Sequence, residues 1–280
     1  MTLLFSCLLA LAPAAPPTDT LPYNLHNPIL TVNLVDSSLQ EISALSPTHL
    51  PDVYVAMSDE RGELFFVNVE NGGMIVRRTL FRDKGDFEGV EMVTDNCIFA
   101  MKSDGELFEI SNWDKATPKV REYKTPLKKS DDLEGLCYDK ARKALLLASK
   151  SDPDNNAIRK VYAFDLKKKK LVEQPVYQID PEEVNRILPR TEDEKRYFSP
   201  SGIAVHPQTG DIYITSTSLK RLVVLDRKGG NIKWVARLDK KLMPQPEGIA
   251  FDKAGNLMLC SEGKKGEGLI LQFAYKPAKN

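Results

Sequence analysis

The stretch FSPSGIAVHPQTGDIYITS, residues 198–216, decides the fold. Two apolar runs, SGIAV from Ser201 and IYITS from Ile212, flank a polar turn holding His206, Pro207 and Gly210. Short runs rich in β-branched and aromatic residues, bounded by Gly, Pro and Asp, carry the grammar of an antiparallel hairpin. The first run recurs along the chain as EISAL from Glu41, EGVEM from Glu88, EGLCY from Glu134 and EGIAF from Glu247. Successive starts lie 46 or 47 residues apart, except for 67 between Glu134 and Ser201. That longer interval is one period plus about 21 inserted residues.

Each unit continues in the same way. A second apolar run follows: VYVAM from Val53, IFAM from Ile98, LLLAS from Leu145, IYITS from Ile212 and LMLCS from Leu257. A third comes after a polar turn: ELFFVNV, ELFEI, KVYAFDL, RLVVLD and LILQFAY. A fourth, more polar run closes the first four units: MIVRRTLF, KVREYKTP, LVEQPVYQI and IKWVARLD. Four strands in about 46 residues make one blade of a β-propeller, which must stack on its neighbours to bury both faces. The fifth unit lacks its fourth run, and ILTVNLVD at 29–36 supplies it. The sequence therefore predicts an all-β chain: a five-bladed propeller of four-stranded blades over residues 28–276, with an N-terminal strand closing the last blade. The insertion at 179–198 reads as a short helix, started by Asp180-Pro181 and interrupted at Pro189, leading into a flap over one mouth. Lys167–Lys170 reads as a solvated hairpin tip, and Trp113 and Trp234 as packing between blades.

Composition narrows the function. Lys plus Arg and Asp plus Glu both number 39, so the net charge is zero. A general nucleic-acid binder would carry a basic excess. No apolar run is long enough for a transmembrane helix, and a monomer is expected. Residues 1–14 read as an export signal, with LLFSCLLALAPAA as its apolar core, followed by a Pro-rich tether at 15–27. Leu4–Cys7 alternatively resembles a lipoprotein box, with Cys7 as the lipid anchor. Either reading places the protein in the periplasm or cell envelope. Cys97, Cys137 and Cys260 sit in strand-like runs and are expected to be buried thiols.

In a propeller the leading ends of the innermost strands face one mouth. The repeat-equivalent residues there are Glu41, Glu88, Glu134, Ser201 and Glu247. Carboxylates brought together in a partly desolvated channel repel one another, and either protonation or a bound cation relieves them. Calcium, with many oxygen ligands in flexible geometry, suits a ring of Glu41, Glu88, Glu134 and Glu247. Alternatively, each Glu braces the adjacent blade by accepting backbone N–H bonds. A second ring follows the second strands. There Lys102 and Lys150 could receive an anionic ligand, or pair with Asp59 and Glu262. The chain has no His-Glu-x-x-His or Gly-x-Ser-x-Gly segment.

Taken in order, FEGVEM, DLEGLCYD, LLLASK, VYAFDL, FSPSGIAVHPQTGDIYITS, LVVLD and QPEGIAFD resemble the SdiA-regulated, or YjiK-like, family of bacterial envelope propellers. The match runs from about Pro22 to Tyr275. The resemblance implies a bound calcium ion and assigns no biochemical activity. More distantly, the repeat style is similar to gluconolactonase-type propellers, which hold a divalent metal and hydrolyse lactones or phosphoesters. The expected function is thus binding of calcium and of a small-molecule or protein ligand at an acidic mouth without catalysis. The alternative is a calcium-dependent hydrolase.

Overall fold

The computed structural model describes residues 21–277 except 152, 264 and 265. The stretch read as an export signal, Cys7 included, lies outside the described residues. Strand β1 (Leu30–Leu34) opens the chain of elements but belongs to the last blade. Blade I is β2 (Ile42–Pro47), β3 (Val53–Ser58), β4 (Gly62–Asn68) and β5 (Met74–Arg82). Blade II is β6 (Phe87–Thr94), β7 (Cys97–Lys102), β8 (Leu107–Ser111) and β9 (Lys119–Tyr123). Blade III is β10 (Leu133–Asp139), β11 (Ala144–Ser149) and β12 (Arg159–Asp165), with β13 (Lys170–Leu171) and β14 (Tyr177–Ile179) both pairing with β12. Pro175 stands between those two short strands and cannot donate to a ladder, so the outer strand is split. After helix α1 (Pro181–Ile187), blade IV is β15 (Gly202–Val205), β16 (Ile212–Ser216), β17 (Arg221–Leu225) and β18 (Ile232–Arg237). Blade V is β19 (Gln245–Phe251), β20 (Leu257–Glu262) and β21 (Gly268–Phe273), completed by β1 pairing antiparallel with β21.

The five inner strands contact one another in the order β2, β6, β10, β15, β19, and β19 returns to β2. The array is a closed five-bladed propeller. Alternation explains how each sheet fills both its faces: on β16, Ile212 and Ile214 face blade III while Tyr213 faces blade V. Five apolar clusters result, one between each pair of neighbouring blades. Trp113 stacks on Phe66 at 4.4 Å between blades I and II, and Trp234 packs against the cluster between blades IV and V. Cys137 and Cys260 are buried free thiols, and Cys97 is a half-buried one.

Three segments differ in detail from their sequence reading. The tether is docked at its C-terminal end, with Tyr23 and Leu25 buried and the Tyr23 hydroxyl donating to the Gly255 carbonyl at 2.7 Å. Tyr23 lies beside His206, Tyr213 and Phe251, and Leu21 and Leu25 join the same apolar cluster. Lys169 leaves its hairpin tip to pair with Glu109 of blade II at 3.0 Å, over the rings of Phe99 and Tyr123. In the insertion, Asp180 caps α1 by accepting from the Glu182 N–H. The segment that follows is strapped to the rim of blades III and IV. Glu194 pairs with Arg221 at 2.7 Å and Arg237 at 2.9 Å, and buried Arg159 donates to the Phe198 carbonyl at 2.8 Å.

The neighbouring inner strands approach to backbone contact. A β-carbon on Gly202 would lie 2.3 Å from the Glu247 carbonyl oxygen, so only glycine fits there. Gly202→Ala is expected to destabilise the fold by about 1–3 kcal/mol, read as a lower urea midpoint. Gly266→Ala, where no atom lies within 4 Å of the added carbon, should stay within about 0.5 kcal/mol of the parent.

Candidate functional site

The acidic mouth is built by a repeated irregularity. Pairing of inner with second strand slips between Ile42 and Ala44, Phe87 and Gly89, Leu133 and Gly135, and Pro246 and Ile249. Such a bulge leaves one residue unpaired and re-aims its side chain. The residues at this position are Ser43, Glu88, Glu134 and Glu247. In blade IV it is Ser201, which immediately precedes the first ladder pair, Gly202 with Thr215. The two serines do the bracing considered above for the glutamates. Ser43 Oγ donates to the Phe87 carbonyl at 3.0 Å and Ser201 Oγ to the Pro246 carbonyl at 2.8 Å. In both cases the acceptor lies just before the next blade's bulge residue.

Three glutamates from blades II, III and V remain, and they share one electrostatic neighbourhood. The Glu88 carboxyl is pushed up to about 10, by burial first, then by Glu134 and Glu247. Burial raises Glu134 to about 7 against the pull of Lys150. Glu247 is also raised, chiefly by burial. Lys150 Nζ donates to Glu134 Oε1 at 2.6 Å, and Thr217 Oγ1 donates to Glu247 Oε1 at 3.0 Å. Burial disfavours the Lys150 charge, but Glu134 and then Glu247 more than compensate, and its ammonium stays protonated.

Register corrects two of the expected positions. Ser43, not Glu41, is the blade I counterpart of Glu88. Glu41 stands two residues earlier, exposed, in the place that Asp86 and Asp132 hold in blades II and III. Likewise Ser58, Lys102, Ser149 and Ser261 occupy one register position, opposite the residue before each bulge. The mouth ring is therefore Asp59, Ser103, Lys150, Thr217 and Glu262. Lys102 lies one residue outside it, and a one-residue step turns a strand side chain to the other face. Its ammonium reaches Asp104 and Glu106, both at 3.2 Å, within its own hairpin, so Lys102 and Lys150 do not form a joint anion site.

A rim of carboxylates surrounds the inner cluster. Asp59 is raised by burial, then by Glu41 and Glu60, and its Oδ1 is buried without a hydrogen-bond partner. Glu262 is raised by burial, then by Asp59 and Glu41, and accepts from Gln245. Asp132 is raised by burial. Asp86 accepts from Ser103. Sequence reading placed Ser103 and Thr217 among the polar residues of the second ring but missed Asp86 and Asp132, for which the repeated Asp-x-Glu-Gly of residues 86–89 and 132–135 was the available signal.

Below the ring, Leu45, Val90, Leu136, Ile203 and Ile249 close the axis, leaving about 10 Å³ of free space. That is room for about one water, so a ligand reaches the carboxylates from the mouth. On another part of the surface, a groove of about 670 Å³ is lined by His49, Phe66, Arg77, Asn96 and Trp113. Calcium wants six to eight oxygens at about 2.3–2.6 Å. Among the described residues no three His, Cys, Asp or Glu side chains are gathered closely enough to hold a metal ion. With the Lys150 ammonium already seated on Glu134, the inner ring as placed does not fit calcium. No helix among the described residues is long and apolar enough to cross a membrane.

A family model described as SdiA-regulated matches residues 26–265. No curated protein matches the chain. Among solved structures, the chain is similar to glutaminyl cyclase of Myxococcus xanthus, at 12% identity and a TM-score of 0.59 over 90% of this chain and 97% of that one. It is also similar to a calcium-binding protein, regucalcin, of Agrobacterium tumefaciens, at 13% identity and a TM-score of 0.55 over 89% and 97%. A third is the PQQ-bound aldose sugar dehydrogenase of Streptomyces coelicolor, at 14% identity and a TM-score of 0.54 over 88% and 97%. Likeness at this identity establishes the shared propeller fold.

The Glu88 carboxyl gives the mouth a pH signature. Its folded pKa of about 10 lies above the ordinary 4.5, so its contribution to stability is full below about pH 4.5 and is lost as pH rises towards about 10. Glu88→Gln removes the ionisable group. Between about pH 5 and pH 9 the urea midpoint of the variant should fall less than that of the parent, with a gap of about 1 kcal/mol or more at the alkaline end. Equal pH slopes in the two proteins would contradict the burial of this carboxyl among like charges.

Proposed function

The chain belongs to the SdiA-regulated family, and from that premise we propose that it is an exported, non-catalytic envelope propeller that captures an organic cation at its acidic mouth. The observation that carries the reading is the imbalance of charge on the rim. Asp59 has Glu41, Glu60 and Asp86 around it, and Glu262 has Asp59 and Glu41; against these carboxylates stand Lys150, which acts on Glu262 and Asp132, and Lys129, which acts on Asp132. The Oδ1 of Asp59 lacks a hydrogen-bond partner, so this carboxylate is not satisfied by the protein alone. Lys150 itself illustrates which chemistry suits the mouth: an N–H-bearing cation satisfies carboxylates at hydrogen-bond distance without a tight cage of oxygens. A primary ammonium or guanidinium on a small flexible molecule fits that pattern.

Calcium, the cation expected from the family resemblance, would need a closer grouping of carboxylates. Hydrolysis of a lactone or phosphoester would need a carboxylate free to act as base, and Glu134, the inner carboxyl raised to about 7, is paired to Lys150. The buried His206, with its pKa lowered mainly by burial, lies in the aromatic cluster of blades IV and V.

Calorimetric titration with spermidine at low salt tests the reading. Binding should weaken steeply as salt is raised. Asp59→Asn combined with Glu262→Gln should weaken it about tenfold or more. No heat on titration, or an affinity indifferent to the double substitution, would remove the proposal.

A further inference from the structure

Lys150 is the one member of the mouth ring of Asp59, Ser103, Lys150, Thr217 and Glu262 that carries positive charge. Its backbone is fixed on both sides. Its N–H donates to the Asp132 carbonyl at 2.7 Å, and its own carbonyl accepts from Ser199 Oγ. Ser199 is in turn held by the strapped insertion, next to buried Phe198. The side chain is two-thirds covered and ends at Glu134 Oε1, 2.6 Å away. From that position its charge acts on Glu88, Glu134, Glu247 and Glu262, contributed by three other strands besides its own blade's β10. The tied backbone fixes where the stem begins, the Glu134 contact holds its far end, and the four-carbon reach between them carries the ammonium to the glutamates.

We propose that Lys150 is a built-in cation, standing among Glu88, Glu134 and Glu247 where a propeller with a metal at this mouth would place a divalent ion, so that this chain completes its mouth without metal. The inference is independent of what binds the outer rim. It accounts for a ring that keeps three glutamates yet, with the ammonium seated on Glu134, is not drawn together around a metal ion. It also accounts for the lysine appearing in one blade and nowhere else in the ring, since a single central cation needs a single donor blade.

Thermal unfolding of the full chain, dialysed against EDTA and then supplied with about 1 mM calcium chloride, the weak end of calcium affinities in proteins, decides the matter. The parent protein should melt at the same temperature in both conditions. Lys150→Gln, which keeps the stem and removes the charge, should melt lower in EDTA and regain several degrees with calcium. Lys150→Arg should remain indifferent to calcium. If Lys150→Gln fails to fold, refolding in the presence of calcium should rescue it. A parent protein stabilised by calcium, or a Lys150→Gln variant that calcium neither stabilises nor rescues, would overturn the proposal. The spermidine titration is read separately, so loss of rim binding and loss of this inference are distinct results.

Discussion

Five inner strands have to meet around a crowded axis, where four of them place glycine after the mouth residue and blade I places Ala44. A β-carbon on Gly202 would collide with the Glu247 carbonyl, and one on Gly248 would come within 2.9 Å of the Leu45 nitrogen. These contacts draw each blade onto the next at main-chain distance. The residue just before the close approach cannot point inward, and the bulge turns it to the mouth. The position of the carboxylates is thus a by-product of how the ring packs. What selection could vary freely was the side chain placed there, and it is serine in two blades and glutamate in three.

That choice has an electrostatic cost. Burial, and repulsion from neighbouring carboxylates after it, raise all three inner glutamates. The protein offsets part of it with polar groups of its own, Lys150 on Glu134 and Thr217 on Glu247. The serines of blades I and IV take the bracing role, tying their blades to carbonyls of the next. Mechanical closure and electrostatic character are therefore divided among equivalent positions, one task per blade.

The architecture was legible because a propeller writes its period into the chain. Recurrent apolar runs at 46–47-residue spacing, and a fifth unit lacking its last strand, were enough to give the blade count and the closure by β1. Side-chain positions within the mouth were less legible, because a bulge leaves no mark on composition while shifting register by one. The Lys-Ser dipeptides at 102–103 and 150–151 look equivalent in the sequence, yet Lys102 shares its register with Ser149. Glu41 was misplaced for the same reason: Ile42 and Ser43, not Glu41 and Ile42, align with the residues around the other bulges. Aligning Ser58, Ser149, Ser216 and Ser261 would have recovered the correct ring.

The outer strand of blade V comes from the beginning of the chain and its three companions from the end. A nascent polypeptide therefore cannot seal the ring until β21 has left the ribosome. Blades I to IV can each form their local hairpins earlier, but the apolar faces of β1 and of blade I that await blade V stay uncovered throughout synthesis. Any holdase that accompanies this chain has its natural binding window there, before the last hairpin arrives to take its place.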